Sequence, residues 1–401
     1  MMKLQMNRSV NGTALKFVKW NRKVFFADRY NTLLTFVSLV FIYYLFYGLW
    51  GFFSDADWSV VLANRRLLLL GRLPHEDEWR IWPILWLTGV LIFMSIGAWS
   101  RPTKKELLGM AFVFLVPSLI FTTVGTWIQV FLSAVVFITS FIMVQYSVSK
   151  KPGFGVVLKK ILTVVWVIIL PVIFLIMLLG GGPKPTLWGG FLLNILLAAV
   201  AIVAGFPIGV LLALGRTSSL PVIKFFSTVY IEIIRGAPLI AWLMLAWFVL
   251  PNFLPSIMGI DKASVVIRAM IVLSMFTSAY LAEVVRGGIQ SVPKGQTEAA
   301  TAVGLSIIQS TLFIVLPQAI RVVVPAVVST FIAIFKDTSL VFILALTDLL
   351  AVGRLIPEQD PAFFGRHLES LSVVALMFWI VSITLSYLSR KFEKTLGIGI
   401  R

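Results

Sequence analysis

The chain of 401 residues is 59% hydrophobic and only 13% charged, whereas soluble globular chains run nearer half apolar and a quarter charged. Its net charge of +17 lies almost wholly in short segments between apolar runs, which points to a membrane protein and away from nucleic acid as a partner. There is no cysteine, and His75 and His367 stand apart without a neighbouring ligand pattern, so thiol chemistry is excluded and neither a metal nor a cofactor is expected.

The apolar residues gather in runs of about twenty, the length that crosses a hydrocarbon core as a helix. Backbone groups in lipid must bond internally, so the expected fold is an all-α polytopic membrane protein and not a β-barrel. The polar, basic residues 1–32 precede the first run. That run includes FIYYLFYGLWGFF, too long and aromatic for a cleaved signal, and a retained helix is expected. Ten spans are predicted, over 33–53, 81–99, 107–124, 127–146, 161–180, 187–214, 236–252, 264–285, 322–345 and 370–389. Residues 107–146 are too many for one crossing, and Gly125 with Thr126 offers a turn between two. Placing the N-terminus inside puts 24 of the 34 Lys and Arg on the cytoplasmic side and eight outside, with Arg268 and Lys336 inside spans. That bias predicts cytoplasmic termini at both ends. Tryptophans 50, 58, 79, 82, 188 and 247 fall at predicted interfaces, where the ring anchors to the headgroup level.

Two parts are expected. Residues 1–180 hold five spans and a long outer loop at 54–80 containing HEDEWR; GGGPKP at 180–185 breaks the pattern, and residues 181–401 hold five more spans. The signals with mechanistic content lie in the second part. Its segment 286–321, between the eighth and ninth spans, is unusually long for a cytoplasmic connection. Pro293 and Gly295 break the preceding helix, and Thr297 to Val303 predicts a short helix with Ala299, Ala302 and Val303 on one small apolar face. Gly304 suits a left-handed helix end, and a second short run ends at Pro317. A helix of about two turns is marginal alone and needs something to pack on.

The positions Glu298, Ala299, Ala300, Gly304, Ile314, Leu316 and Pro317 resemble the EAA signature of ABC importer permeases in both residue and spacing. An ordinary amphipathic connector would match one Ala-rich turn but not seven positions together. The resemblance implies a coupling helix seated in a groove of an ATP-hydrolysing subunit, with small Ala residues allowing close approach, Glu298 meeting donors at the rim and Gly304 permitting the bend. YIEIIRGAPLIAWL (230–243), SAYLAEVVRGGIQSVPKGQTEAA (278–300) and FIAIFKDTSLVFIL (331–344) are similar to stretches of polar amino-acid permeases, with Ala237 where Thr is usual. With the extended N-terminal part, the chain looks most like the larger permease of general L-amino-acid importers. The resemblance implies the type I ABC importer fold in the C-terminal half and a place in the bacterial inner (plasma) membrane. The implied partners are ABC ATPase subunits, a second and related permease forming a heterodimer, an extracytoplasmic binding protein and the amino acid itself. It assigns no role to the first five spans.

Lys336 and Asp337 fall near the middle of the ninth predicted span, where a charge costs about 2.5–3.5 kcal/mol on insertion scales. Adjacent helical residues diverge by about 100°, and seven-residue spacing aligns Lys336 with Ser329 and Asp337 with Thr330 in two polar stripes. Two readings stand side by side: a stripe lines the substrate path, Asp337 drawing an ammonium or Lys336 a carboxylate, or each charge pairs with a neighbouring helix. Pro317 and Pro325 predict a bend at the start of this span, or simply the proline tolerance of membrane helices. Glu232 with Arg235, and Glu283 with Arg286, have ion-pair spacing, as a gate or as solvated helix ends.

The chain carries no GxxxxGK[ST] phosphate loop, so it is not expected to be the ATP-hydrolysing enzyme itself. An ion-coupled secondary amino-acid carrier is the alternative; it predicts inverted repeats with helices broken at matching places, and neither is apparent. An intramembrane enzyme would need a nucleophile and base at depth, and the predicted spans hold no His or Cys.

Overall fold

A computed structural model describes residues 25–99, 124–249, 251 and 264–396. Among these residues there is no strand, and a single isolated bridge joins Gly190 to Asp348. Eight described helices are long and apolar enough to cross a membrane, or nine if one sharply bent pair is a single span. The predicted span 107–124 lies outside the described residues. Gly125 and Thr126, expected to form a turn, instead sit in the first turn of a continuous helix, Val124–Lys150.

Contacts divide the chain into residues 1–58 and 59–401. The first unit contains α1 (Arg29–Asp55), whose N-cap Asp28 accepts a hydrogen bond from the Asn31 amide, and which buries none of its residues. The second unit opens with α2 (Ser59–Ala63) and α3 (Arg65–Leu70). A 3₁₀ turn at His75–Arg80 leads directly into α4 (Ile81–Trp99). This helix packs with α5 (Val124–Lys150) and α6 (Pro152–Leu178), the α4–α5 contact running through Phe93, Phe137 and Phe141. The buried Arg80 donates to Asp77 and to the carbonyls of Ile176 and Leu179 at the end of α6. That end needs partners, since the last carbonyls of a helix lack intrahelical donors. GGGPKP follows as a turn, with Gly180 and Gly181 at φ +64° and +76°.

The centre of the second unit is the pair α7 (Gly190–Thr217) and α10 (Val265–Ser291). Gly205 and Gly209 lie one turn apart, the small-residue spacing that lets membrane helices approach closely. A methyl group on Gly205 would stand 2.8 Å from Thr277, and one on Gly209 would stand 2.9 Å from the Ser278 carbonyl oxygen. Around this pair a single apolar cluster draws in Leu70 and Leu73, Met177, Trp188, Leu239 and Leu243, Ile334 and Val341. Trp188, expected at an interface, is therefore a core residue, 1% exposed and edge-on to Phe174.

Residues 59–73 act as a strap on this core. Gly71, at φ +59°, lies so close to Gly189 and Gly190 that any side chain on it would meet their backbone. Val60 and Leu68 pack with Leu349, Val352 and Ile356 of α14 (Leu349–Gln359) and with Val374 of α15 (His367–Leu396). At the start of α14 is a fully buried polar knot of Asn194, Thr338 and Asp348. Asn194 donates to Thr338 and Asp348 and accepts from the Leu349 amide, while Asp348 caps α14 through the amides of Leu350 and Ala351. Burial pushes the Asp348 carboxyl up to about 6 against these hydrogen bonds, which pull it down.

Gly209→Val should lower the thermal stability of the detergent-solubilised chain by about 1–3 kcal/mol, the usual cost of overpacking. Gly287→Ala, inside α10 where a methyl meets nothing within 4 Å, should not lower it and should raise it by about 0.5–1 kcal/mol through helix propensity in the same thermal scan. For Asp348, the native state holds an extra proton between the ordinary carboxyl value and about pH 6, so stability present below about pH 4 is lost as pH rises through 6, on the order of 3 kcal/mol in all. Melting temperatures measured from pH 7 down to pH 5 should rise for the wild type and stay level for Asp348→Asn, which retains a capping oxygen.

Candidate functional site

The segment of the EAA-like positions is built from two capped helices. The preceding helix α10 ends at Ser291, and Pro293 introduces α11 (Lys294–Ala302), three residues longer at its start than the sequence predicts. Gly304 takes φ +84°. Its amide donates to the Thr301 carbonyl and that of Leu305 to Ala300, the paired bonds of a Schellman helix end. Ser306 and Gln309 then form a reciprocal capping box at the start of α12 (Ile307–Ser310). The second run does not stop at Pro317. A π turn, Thr311–Val315, carries it into α13 (Leu316–Asp337), where Pro317 occupies the first turn, a position that needs no amide donor.

Of the seven positions, Ala300 is buried, Ile314 and Leu316 are half-buried, and Glu298, Ala299, Gly304 and Pro317 are exposed. Gln296 and Gln318 join α11 to the start of α13. Large apolar side chains project beside the exposed positions: Val303 is 76% exposed, Ile307 84% and Ile308 71%. The segment thus has a buried seam through Ala300 and an apolar outer surface with a carboxylate at its edge.

At the same end of the bundle, five charges join three helices. Arg216 of α7 contacts Glu232 of α8 (Pro221–Gly236) at 2.6 Å and Glu283 of α10 at 2.9 Å. Glu283 also holds Arg286 at 2.8 Å and Arg235 at 3.6 Å. The expected Glu283–Arg286 pair is present, but the expected Glu232–Arg235 pair is not. Each of those residues instead turns to another helix, where cross-helix partners join charges that an in-helix pair would leave apart. The Glu283 side chain is only 17% exposed, so three guanidiniums converge on a partly desolvated carboxylate.

The predicted span 236–252 is the second half of a sharply bent helix pair. α8 and the stretch Leu239–Val249, made of α9 (Leu239–Met244) and a π turn (Leu245–Val249), meet at 99° across Ala237 and Pro238. Pro238 lacks an amide and restrains the residue before it to extended backbone, and Ala237 has φ −118° and ψ 150°. The Trp242 indole donates to the Ile234 carbonyl, satisfying one group freed by the break.

A second irregularity lies at Lys336 and Asp337. They do not occupy the middle of a regular span: α13 ends with them, and a 3₁₀ helix, Thr338–Leu344, continues. The helix is unbroken through Pro325, so the distortions fall at its two ends. The Ser329 and Thr330 hydroxyls donate to the carbonyls of Pro325 and Ala326, within their own helix. Lys336 is exposed and Asp337 half-buried. Among the described residues, neither side chain has an ion pair or hydrogen bond. Leu239 and Leu243 beyond the first break share one cluster with Ile334, Val341 and Leu344 around the second, so both irregular spans converge on the same core.

Asn194, Asp348 and Arg268's partners were not evident from the sequence. Only the Thr-Asp-Leu-Leu order at 347–350, an N-cap followed by apolar residues, signals α14.

Residues 205–397 match the family of binding-protein-dependent transport system inner membrane components. The chain is 40% identical over 239 residues to the inner membrane amino-acid ABC transporter permease protein YhdY of Escherichia coli (strain K12), covering 58% of this chain and 64% of that protein. It thus spans less than two thirds of that relative's length. It is 34% identical over 213 residues to the glutamate/aspartate import permease protein GltK of Escherichia coli O6:H1, covering 52% of this chain and 93% of that protein. A chain in the crystal structure of an amino acid ABC transporter with histidines is 30% identical, with a TM-score of 0.45, over 51% of this chain and 92% of that one.

Proposed function

The chain belongs to the binding-protein-dependent transport system inner membrane components, among the amino-acid ABC transporter permeases, and from that premise we propose that it is the permease subunit of an ATP-driven amino-acid importer. Substrate arrives on an extracytoplasmic binding protein. Separate ATPase subunits dock on the cytoplasmic side, where both termini also lie, and a related second permease completes the pore. ATP binding closes the ATPases, the docked helices move with them and the path opens outward; hydrolysis resets it.

The observation that carries this reading is the surface of residues 294–317. Val303, Ile307 and Ile308 are exposed around the junction of two short helices, α11 closed by a Schellman end and α12 opened by a capping box. That is the form of a preorganised helix presented to a groove. Glu298, Ala299, Ala300, Gly304, Ile314, Leu316 and Pro317 serve as the coupling residues. The substrate path runs past Asp337 and Lys336, with Thr330 and Ser329 on the same stripes. What supports this is a pair of charges without an ion pair or hydrogen bond among the described residues, where one span changes helix type close to a second, sharply bent one, since substrate sites favour discontinuous helices.

Gly304→Ala should impair uptake at unchanged membrane abundance, because a non-glycine residue in the left-handed region costs about 1–2 kcal/mol; Gly304→Asn should be milder. Uptake of labelled amino acid in membranes with matched permease levels measures both, and normal uptake in the Ala variant would sink the coupling assignment. Asp337→Asn should lower uptake roughly tenfold or more, as expected for a lost charge-assisted contact, with the ATPase still copurifying from detergent. Unchanged uptake would remove Asp337 from the path.

A further inference from the structure

Arg268 stands in the first turn of α10, a placement that opposes the helix dipole and puts a cation within a span. Its guanidinium crosses to the neighbouring broken span, donating to the carbonyls of Ala246 at 3.0 Å and Trp247 at 3.2 Å. Both carbonyls belong to the π turn Leu245–Val249, which follows α9 in the half-helix Leu239–Val249.

Mechanically, the two elements differ. The half-helix is severed from α8 by the 99° break, so α8 does not fix its orientation through a continuous backbone. It is held by its packing through Leu239, Leu243 and Ala246, by the Trp242 hydrogen bond to the Ile234 carbonyl of α8, and by Arg268. By contrast, α10 is unbroken from Val265 to Ser291, about 35 Å from Arg268 to its end. Only Val292 and Pro293 separate that end from α11. One rigid helix therefore has the proposed docking element at one end and the Arg268 contact at the other.

We propose that Arg268 is the positioning residue that makes the half-helix Leu239–Val249 follow α10, so that ATPase-driven displacement of α11 reaches the extracytoplasmic end of the translocation path. The inference rests on the ATP-driven permease reading. Arg268 touches no substrate in it; the residue transmits motion through two backbone carbonyls.

The native chain has no cysteine, so spin labels can be placed singly on Phe248→Cys and Ile271→Cys, whose native side chains are 55% and 49% exposed. The experiment uses the purified complex of this permease with its ATPase and second permease in proteoliposomes. The binding protein is loaded with a mixture of glutamate, glutamine and arginine. In the otherwise wild-type complex the label distance should be the same with and without ATP. In Arg268→Met that distribution should broaden, and ATPase stimulation by loaded binding protein should fall roughly tenfold while basal hydrolysis persists. Arg268→Lys, which keeps a cation at the carbonyls, should recover part of the stimulation. A label distance that changes with ATP in the wild-type background overturns the proposal without any Arg268 variant. Stimulation and label spread in Arg268→Met equal to wild type also overturn it, leaving the permease reading intact. No stimulation in the wild type overturns that reading, and this proposal with it.

Discussion

Close approach of α7 and α10 is the constraint from which the other contacts follow. In hydrocarbon, apolar side chains gain nothing by leaving lipid for one another, so helix association relies on van der Waals contact and hydrogen bonds. Gly205 and Gly209 permit that contact by letting the facing helix sit against bare backbone. The remaining elements arrange themselves around this pair. Leu239 and Leu243 beyond the first break, and Val341 and Leu344 in the 3₁₀ stretch, are buried in the same cluster. Irregular backbone survives at membrane depth only where protein covers it, so the two distorted spans depend on the tightly packed one.

This gives the core a division of labour. α10 is continuous, deeply packed and directly followed by the exposed helix α11, whereas α8 and α9 meet at a sharp bend and α13 changes pitch at its ends. A displacement delivered at α11 enters the stiffest member first. The charges near that end, with Glu283 contacting Arg216, Arg235 and Arg286, tie α7 and α8 to it as well.

Much of this was legible in the sequence because apolar runs and capping residues act locally. Seven of the ten predicted spans correspond to helices within a few residues at most ends, and the left-handed Gly304 was expected from its place directly after the short helix predicted to end at Val303. The misses share a cause. A window of about twenty apolar residues reports solubility in lipid, not backbone continuity, so the first half of the broken span passed as a loop because Lys224, Glu232 and Arg235 interrupt it. Lys336 and Asp337 looked central because the apolar run continues through Leu344, although the regular helix ends with them. Asn194 and Asp348 are 154 residues apart in their hydrogen bond, and no local pattern announces such a partner. The charge pairs failed halfway for the same reason: spacing along one helix is visible, competition from another is not.

The strap at residues 59–73 sets an order of events during biosynthesis. Its glycine contact requires Gly189 and Gly190, and its apolar contacts require Leu349, Val352, Ile356 and Val374. A chain emerging from the ribosome N-terminus first has already made α4, α5 and α6 when those partners do not yet exist. The strap must therefore wait, undocked, until nearly the whole chain has been made, and contacts so distant in sequence form slowly. Its seating thus comes last, so a nascent chain halted before Val374 leaves Val60 and Leu68 without that partner, an apolar mark by which an unfinished copy differs from a finished one.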